Sequence, residues 1–251
     1  MVRMIMHGCN GRMGQMITGI VDRDDEIRIV AGVDINDKQL NDYPVFKTIN
    51  EVNVEADVVV DFGATAAIDN LLSWCKNTKT PCVVCTTGLS EEQIANVSKT
   101  AESVAMLRSA NMSLGINTLI KLLKDAANVF APAGFDVEVV EKHHKMKLDA
   151  PSGTAIALAD AVNEARNNEY TYVYDRSGRR QVRDEKEIGI SAVRGGTIVG
   201  EHDVIFAGED EVITFSHTAY SRAVFAKGAI QAAKFLYNKE PGLYTMADVV
   251  K

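Results

Sequence analysis

A cationic segment near the middle of the chain brings together residue types that perform acid–base chemistry. It reads EKHHKMKLDAPSGTA over 141–155 and holds two adjacent histidines and three lysines, in a chain whose formal net charge is −7. Histidine exchanges a proton near neutral pH, and lysine neutralises an anion. The Ser-Gly-Thr step at its end is typical of a helix N-terminus, where backbone N–H groups bind carboxylate or phosphate.

Three interpretations compete for this segment: a surface loop with Ser152 as helix N-cap, a zinc site, or an anion pocket with a histidine proton donor. Adjacent histidines with no nearby cysteine or suitably spaced acid make poor tetrahedral geometry, so we expect no metal. His143 and His144 end a predicted strand, so their side chains should point in opposite directions. Residue types alone leave the surface loop and the anion pocket equally open.

A second candidate site is a glycine-rich turn near residue 10. The run MHGCNGRMG places Gly8, Gly11 and Gly14 between the first predicted strand and the first predicted helix. Glycines permit a tight turn and let the backbone approach a pyrophosphate at the positive end of the helix. An ordinary strand–helix turn would also use glycines, but Asp34 closes the next strand twenty residues after Gly14. An acid there accepts hydrogen bonds from the adenine ribose of NAD, so we expect dinucleotide binding.

Asp34 also bears on the choice of cofactor. A carboxylate at this position repels a 2′-phosphate, which favours NADH over NADPH. Lys38 is near enough in sequence to keep the use of NADPH possible.

The elements that position these residues alternate between strand and helix up to about residue 110. The predicted strands are 3–8, 27–34, 56–62, 81–88 and 105–111, and the predicted helices are 14–24, 66–77 and 90–104. This alternation indicates a parallel sheet with helical crossovers. Beyond it we predict helices at 117–130, 152–165 and 221–238, and strands at 135–144, 188–196, 200–208 and 211–219. The last two strands should form an antiparallel hairpin, the polar segment 166–187 holds little core material, and a short tail follows the last helix.

Composition limits the classes of function. The chain has 251 residues, 46% apolar and 24% charged, which suits one large globular domain or two modest ones. A pI near 5.3 argues against nucleic acid or an anionic membrane as partner. No apolar run is long enough to cross a membrane and the first residues lack a signal-peptide layout, so we expect a cytoplasmic protein. Cys82 and Cys85 form a C-x-x-C, but at this spacing on a strand they face opposite sides, which disfavours a disulfide or zinc.

The run HHKMKLDAPSGTA resembles the signature of the 4-hydroxy-tetrahydrodipicolinate reductase (dihydrodipicolinate reductase) family of the diaminopimelate–lysine pathway. Segments similar to this family follow in the expected order along essentially the whole chain: GCNGRMG, VVVDF, TTGLS, SANMSLGIN, SAVRGGTIVGEHDVIF and SRAVFAKGAIQAA. The resemblance favours the anion pocket. It implies an NAD(P)H-dependent oxidoreductase that reduces 4-hydroxy-tetrahydrodipicolinate to tetrahydrodipicolinate with loss of water.

The resemblance also implies residue roles. His143 would be the general acid, and Lys147 would orient the substrate and assist proton transfer. The residues that hold the two substrate carboxylates would be His144, Lys147, Ser152, Gly153 and Thr154. The cofactor would contact Gly8, Gly11, Arg12, Met13, Gly14, Asp34, Phe62, Thr86, Thr87, Gly88, Ala110, Asn111, Met112 and Arg222. Lys142 and Lys145 would be solvated bystanders.

The chain departs from the family pattern at three positions. Ala64 replaces an arginine that contacts the cofactor, Cys85 stands where glycine is usual, and Met112 stands where phenylalanine is common. These differences concern the fit of the cofactor more than the acid–base residues.

The family arrangement predicts an α/β chain with two domains. A Rossmann-like parallel-sheet dinucleotide domain would comprise 1–112 and 221–251. A second, α+β domain over 113–220, containing a mixed open sheet, would bind the small dicarboxylate substrate and form a homotetramer.

Two other functions stay open from the residues. Another two-domain NAD(P)-dependent dehydrogenase, acting on an amino acid, would keep the glycine loop but would not require HHKMKLDAPSGT. A non-enzymatic redox sensor that binds NADH should carry a DNA-binding or partner module, and 113–220 contains no basic recognition helix.

Overall fold

Short runs of β-branched and other apolar residues build the strands of this chain, and the helices between them bury one apolar face each. The computed structural model describes all residues, Met1–Lys251. It divides into two compact units. The first comprises Met1–Leu114 and Ala223–Lys251, and the second comprises Gly115–Arg222.

The first unit contains a seven-stranded sheet. Its strands are β1 (Val2–His7), β2 (Ile27–Val33), β3 (Val45–Phe46), β4 (Val58–Asp61), β5 (Cys82–Val84), β6 (Ala105–Arg108) and β12 (Gly242–Tyr244). The spatial order is β12-β6-β5-β4-β1-β2-β3, and every pairing is parallel. The strand order reverses between β1 and β4, which is where open α/β sheets bind ligands at the carboxyl ends of their strands. The predicted Rossmann-like sheet is confirmed.

Helices cover both faces of this sheet. They are α1 (Arg12–Val21), α2 (Ile68–Thr78), α3 (Glu91–Ala101), α6 (Ala223–Leu236) and α7 (Met246–Val249), and two 3-10 turns lie at Ile49–Glu51 and Thr65–Ala67. One apolar core joins the sheet to α1 and α6, and a second joins it to α2 and α3. Ser90 and Gln93 form a capping box at the start of α3.

The second unit is built on a five-stranded mixed sheet. Its strands are β7 (Asp136–His143), β8 (Thr171–Val173), β9 (Glu187–Arg194), β10 (Gly200–Ala207) and β11 (Val212–Ala219), in the order β11-β10-β7-β9-β8. Strand β7 pairs parallel to β9 and antiparallel to β10, and β10 and β11 form the predicted hairpin. Helices α4 (Leu114–Phe130) and α5 (Gly153–Ala165) pack with the sheet in a third core. The predicted mixed open sheet is confirmed.

The structure differs from the prediction in its shortest elements. Strands β3, β8 and β12 and helix α7 have two to four residues each and carry too few apolar positions to show a period. Segment 166–187 packs Tyr170 and Tyr172 against the third core and also forms ion pairs. Hydrogen bonds from Arg176 and Arg179 lower the pKa of the buried Glu187 carboxylate to about 2.

The strand predicted at 81–88 ends at Val84. Cys82 lies in the core shared with α2 and α3, whereas Cys85 packs against the opposite core, so the prediction that their thiols face opposite sides is confirmed. None of the helices combines the length and apolar character needed to span a lipid bilayer.

Gly228 in α6 allows this helix to approach the chain after β6. A Cβ atom at this position would lie 1.7 Å from the backbone oxygen of Met112. A backbone atom cannot yield as a flexible side chain does, so the close approach depends on glycine.

We expect Gly228→Ala to lower the free energy of unfolding by about 1–3 kcal/mol, the usual cost of overpacking. Gly19→Ala in α1 is the matched control, because nothing lies within 4 Å of its added Cβ. It should leave stability unchanged or raise it by up to about 1 kcal/mol. Urea denaturation measures both, and equal midpoints for the two variants would contradict the packing of α6.

Candidate functional site

The glycine loop between β1 and α1 needs residues without side chains, because a Cβ atom at two of its positions would clash with nearby backbone. Gly8 has φ +82°, and a Cβ atom there would lie 2.6 Å from the backbone oxygen of Phe62. A Cβ on Gly14 would lie 2.3 Å from the oxygen of Gly8. Gly11 is the N-cap of α1 and provides no side-chain hydrogen bond to the first turn. The loop therefore leaves the start of α1 uncovered by its own side chains, as pyrophosphate binding requires.

A cavity of about 420 Å³ adjoins this loop. Gly8, Gly11, Asp34 and Phe62 are among its lining residues. Asp34 accepts hydrogen bonds from the backbone N–H groups of Asn10 and Asn36, both at 3.0 Å. A carboxylate offers about four acceptor positions, so Asp34 retains capacity for a ribose hydroxyl. The bare loop, the cavity and this acid fit a dinucleotide.

The cation that shares this cavity with Asp34 is Lys47. The sequence suggested Lys38 as the cation near the cofactor. In the structure the backbone oxygen of Lys38 accepts a hydrogen bond from the Asn10 side chain at 2.9 Å. Ala64 also lines the cavity and presents only a methyl group.

A buried carboxylate organises the carboxyl ends of the central strands. Asp61, at the end of β4, lies 2.6 Å from His7 Nδ1 at the end of β1. It also accepts a hydrogen bond of 2.8 Å from the Thr86 hydroxyl and one of 2.9 Å from Gly63 N–H. Thr86 is thereby fixed at the switch point. His7 and Asp61 were not predicted from the sequence, although Asp61 lies within the VVVDF segment.

The other residues predicted to contact the cofactor differ in how exposed their side chains are. Arg12, Thr87, Gly88, Ala110 and Arg222 are exposed, and Arg222 is the last residue of the second unit. Met13 packs against the core, and Met112 lies within it, so their side chains are engaged in packing. The half-buried Asn111 accepts a hydrogen bond from Ser113 N–H at 2.8 Å. The structure brings Gly8, Gly11, Asp34 and Phe62 to one cavity and does not place these others on it.

His143 occupies the last position of β7 and is buried, whereas His144 follows the strand and is half-buried. Lys147 lies in the next loop, and its Nζ is 2.8 Å from Asp149 Oδ1. This ion pair holds the pKa of Asp149 below its usual value. The loop also turns back on the histidines here, since the backbone N–H of Lys147 donates to the oxygen of His144 at 3.1 Å.

The two lysines predicted to be bystanders differ. Lys145 is exposed. Lys142 lies on the face of β7 opposite to His143, and it is ion-paired instead of solvated, because its Nζ lies 3.1 Å from Glu201 and 3.4 Å from Asp203 on β10. Its cross-strand partners come from sheet pairing, which the local sequence does not show.

Ser152 is the N-cap of α5, as predicted, and its Oγ accepts the Ala155 N–H at 3.1 Å. The expectation that its own backbone N–H is free for a ligand is wrong. That N–H donates to Glu141 Oε1 at 3.0 Å, because the buried carboxylate requires donors. Gly153 is exposed in the first turn of the helix and Thr154 is half-buried.

Glu141 is the centre of this site and was missed from sequence. It is fully buried, and Arg194 on β9 binds both of its oxygens, at 2.7 Å each. Its Oε2 lies 2.6 Å from His143 Nδ1. Burial acts to raise the pKa of Glu141, but hydrogen bonds from Arg194, His143 and Ser152 outweigh it and keep the pKa below its usual value. Glu141 opens the cationic segment and Arg194 lies in SAVRGG, but nothing in either motif indicates their pairing.

A second buried histidine, His202 on β10, completes the group. Its ring centroid is 5.1 Å from that of His143, in an edge-to-face arrangement, and its Nε2 is 3.1 Å from Ser152 Oγ. Burial, with a further contribution from the nearby His143, lowers the pKa of His202 to about 4. It is therefore neutral at physiological pH and contacts the N-cap serine as a polar, uncharged group. The GEHDVIF segment contains it, but only the strand pairing brings it to the site.

Comparisons with known proteins agree with this geometry. A family model described as "Dihydrodipicolinate reductase, N-terminus" matches residues 2–112, and one described as "Dihydrodipicolinate reductase, C-terminus" matches residues 115–250. A 4-hydroxy-tetrahydrodipicolinate reductase of Caldanaerobacter subterraneus subsp. tengcongensis is 55% identical over 251 residues, covering 100% of this chain and 99% of the relative. One from Clostridium botulinum is 45% identical, covering 100% and 98%.

Among solved structures, the dipicolinate-bound dihydrodipicolinate reductase from Paenisporosarcina sp. TG-14 superposes with a TM-score of 0.82. It is 26% identical in sequence, and the alignment covers 98% of this chain and 97% of that one. The two family models together span nearly the whole chain, and full-length relatives share about half of its residues. The chain therefore belongs to the dihydrodipicolinate reductase family.

Proposed function

We propose that this chain catalyses the NAD(P)H-dependent reduction of 4-hydroxy-tetrahydrodipicolinate to tetrahydrodipicolinate, with loss of water, in diaminopimelate and lysine biosynthesis. The observation that carries the proposal is the buried His143–Glu141 pair. Glu141 accepts the Ser152 N–H at the start of α5, and its partner Arg194 also binds the backbone oxygen of Asp149, the ion-pair partner of Lys147. This arrangement places a proton donor beside groups that bind carboxylates. The related Paenisporosarcina enzyme is described with dipicolinate bound, a planar dicarboxylate.

The residues of the second unit divide the work between binding and proton transfer. His143 gives a proton through Nε2, since Nδ1 is held by Glu141. Lys147 and His144 supply positive charge or N–H donors to the substrate carboxylates. The Ser152 hydroxyl, the exposed Gly153 and Thr154 form the start of α5, where an anion is stabilised.

The first unit binds the cofactor through the glycine loop, Asp34 and the adjoining cavity. When bound, NADH or NADPH supplies the hydride. Thr86 stays fixed by Asp61, and we propose that Thr87, Gly88 and the Ala110–Met112 turn complete the nicotinamide end. Arg12, Met13, Gly14 and Arg222 remain proposed contacts on the strength of the family motifs alone.

The acid assignment is tested by His143→Ala. We expect kcat to fall by about 100-fold or more, the usual range for loss of a general acid, with the dissociation constant for NADH unchanged. The assay follows NADH oxidation at 340 nm, with substrate made in situ from pyruvate and aspartate semialdehyde.

Lys145→Ala is the matched control from the same loop, since the Lys145 side chain is exposed. It should retain the wild-type kcat. A His143→Ala variant that turns over at the wild-type rate would refute the assignment, and a folded wild-type chain that consumes no NADH would refute the proposed reaction.

We propose that NADH is preferred over NADPH because Asp34 lines the cavity. Asp34→Asn keeps the shape but removes the charge, so NADH should bind more weakly and NADPH more tightly. We expect the ratio of their dissociation constants to shift by about tenfold, equivalent to roughly 1.4 kcal/mol. Calorimetric titration with each cofactor measures this ratio, with Lys38→Ala as control. Equal changes for both cofactors would show that Asp34 does not discriminate between them.

We also propose a homotetramer that assembles through the second unit. Helices α4 and α5 pack on one face of its sheet, and the opposite face carries the half-buried Val140 and Ile205 and the exposed Val193 and Val212. Exposed apolar side chains on a sheet face are typical of an interface. A mass in solution near four chains of 27.3 kDa supports this assembly, and a monomer contradicts it.

A cytoplasmic location is proposed on separate grounds. All four cysteines are free thiols, which is typical of a reducing compartment. Recovery of the native protein in a membrane or periplasmic fraction would contradict it.

A further inference from the structure

We propose that Glu141 and Arg194 form a positioning pair that fixes the imidazole of His143 with Nε2 as its proton-donating atom and sets the pH range over which that ring is protonated. The inference rests on the proposed function, in which His143 is the acid. The pair acts through His143 and is not itself assigned a contact with substrate.

The orientation of the ring follows from Glu141. Glu141 and His143 lie two residues apart on β7, so both side chains are on the same face of the strand, and Nδ1 is 2.6 Å from Oε2. Because Glu141 is ionised, it only accepts hydrogen bonds, and His143 Nδ1 must carry the hydrogen. Proton exchange at His143 is thereby confined to Nε2.

Arg194 restrains the carboxylate itself. Its two terminal nitrogens bind the two oxygens of Glu141 at 2.7 Å each, and Ser152 N–H adds a third donor at 3.0 Å. One of these nitrogens also donates to the backbone oxygen of Asp149 at 2.6 Å, which ties the Lys147 loop to the same pair. A carboxylate bound on both oxygens cannot rotate away from the histidine.

Glycine at position 200 keeps a side chain away from the nitrogen that is left for chemistry. A Cβ atom at Gly200 would lie 3.1 Å from His143 Nε2, closer than ordinary van der Waals contact, so glycine keeps this side of the ring open. His143 Nε2 has no hydrogen-bond partner within the protein, in contrast to Nδ1. The ring is therefore held at Nδ1, and Nε2 is left without a hydrogen bond to the protein.

Charged groups from several elements act on His143. Glu141 favours the protonated ring, while Arg194 on β9 opposes it. His202 on β10 is neutral at physiological pH and has His217 of β11 as its cross-strand partner, and Lys147 is the nearby cation of the loop. Removing either member of the Glu141–Arg194 pair should consequently move the pH dependence of proton donation, in opposite directions.

The test is the pH dependence of kcat for Glu141→Gln and Arg194→Gln, with NADH and in situ substrate. Activity of a protonated acid is lost at high pH. In Glu141→Gln this alkaline limb should move to lower pH by about one unit or more, because the neighbouring negative charge is gone. In Arg194→Gln it should move to higher pH, because Glu141 is no longer neutralised. Lys145→Ala should keep the wild-type profile.

If Glu141 and Arg194 only stabilised the fold, both variants would have a lower kcat but the alkaline limb of the pH profile would stay in place. That result would overturn the inference. If Glu141→Gln does not fold by circular dichroism, Arg194→Gln decides: a shift to higher pH supports the pair and an unmoved limb refutes it. Inactivity of the wild-type chain would refute the proposed function itself. An active wild type with unshifted variants refutes only the positioning pair.

Discussion

The buried carboxylate of Glu141 is the interaction on which the second unit's site depends. An ionised group removed from water is stable in a protein only when donors surround it. Here the donors come from three different elements: Arg194 on β9, His143 on β7 and the Ser152 N–H at the start of α5. Satisfying one charge therefore also fixes the acid, the helix N-terminus and, through Arg194 and Asp149, the lysine loop.

The first unit also contains a buried carboxylate that is surrounded by hydrogen-bond donors, but its donors are different. Asp61 is buried at the end of β4 and is bound by His7, Thr86 and Gly63 N–H. No arginine binds this carboxylate. In each unit a carboxylate lies 2.6 Å from the Nδ1 of a histidine and orders the residues that follow a strand. Both arrangements put polar chemistry at strand ends while the strands keep their apolar faces in the cores.

Much of the architecture could be predicted because it depends on local patterns. The strand–helix alternation up to residue 110, the Ser152 cap and the β10–β11 hairpin all follow from short-range preferences. The shortest strands could not be predicted, because two or three residues form a strand only when a neighbouring strand pairs with them. Strand β12 is the clearest example: it adds to β6 across more than 130 residues of chain.

The candidate site shows the same limit. The cationic segment and the glycine loop contain the residues that carry the chemistry, and their types indicated it. Their partners could not be inferred, since Arg194 and His202 reach the segment only through the pairing of β7 with β9 and β10. The same pairing corrects two expectations: Ser152 N–H serves Glu141, and Lys142 pairs across the sheet.

The most direct test of this account is the tautomer of His143, read by two-bond nitrogen–proton correlations in a protein labelled with ¹⁵N-histidine. Because the ionised Glu141 accepts a hydrogen bond from Nδ1 of His143, the neutral ring should carry its hydrogen on Nδ1. Only Nε2 should gain a proton as the pH falls. A neutral His143 with its hydrogen on Nε2 would contradict the claim that Glu141 controls the acid.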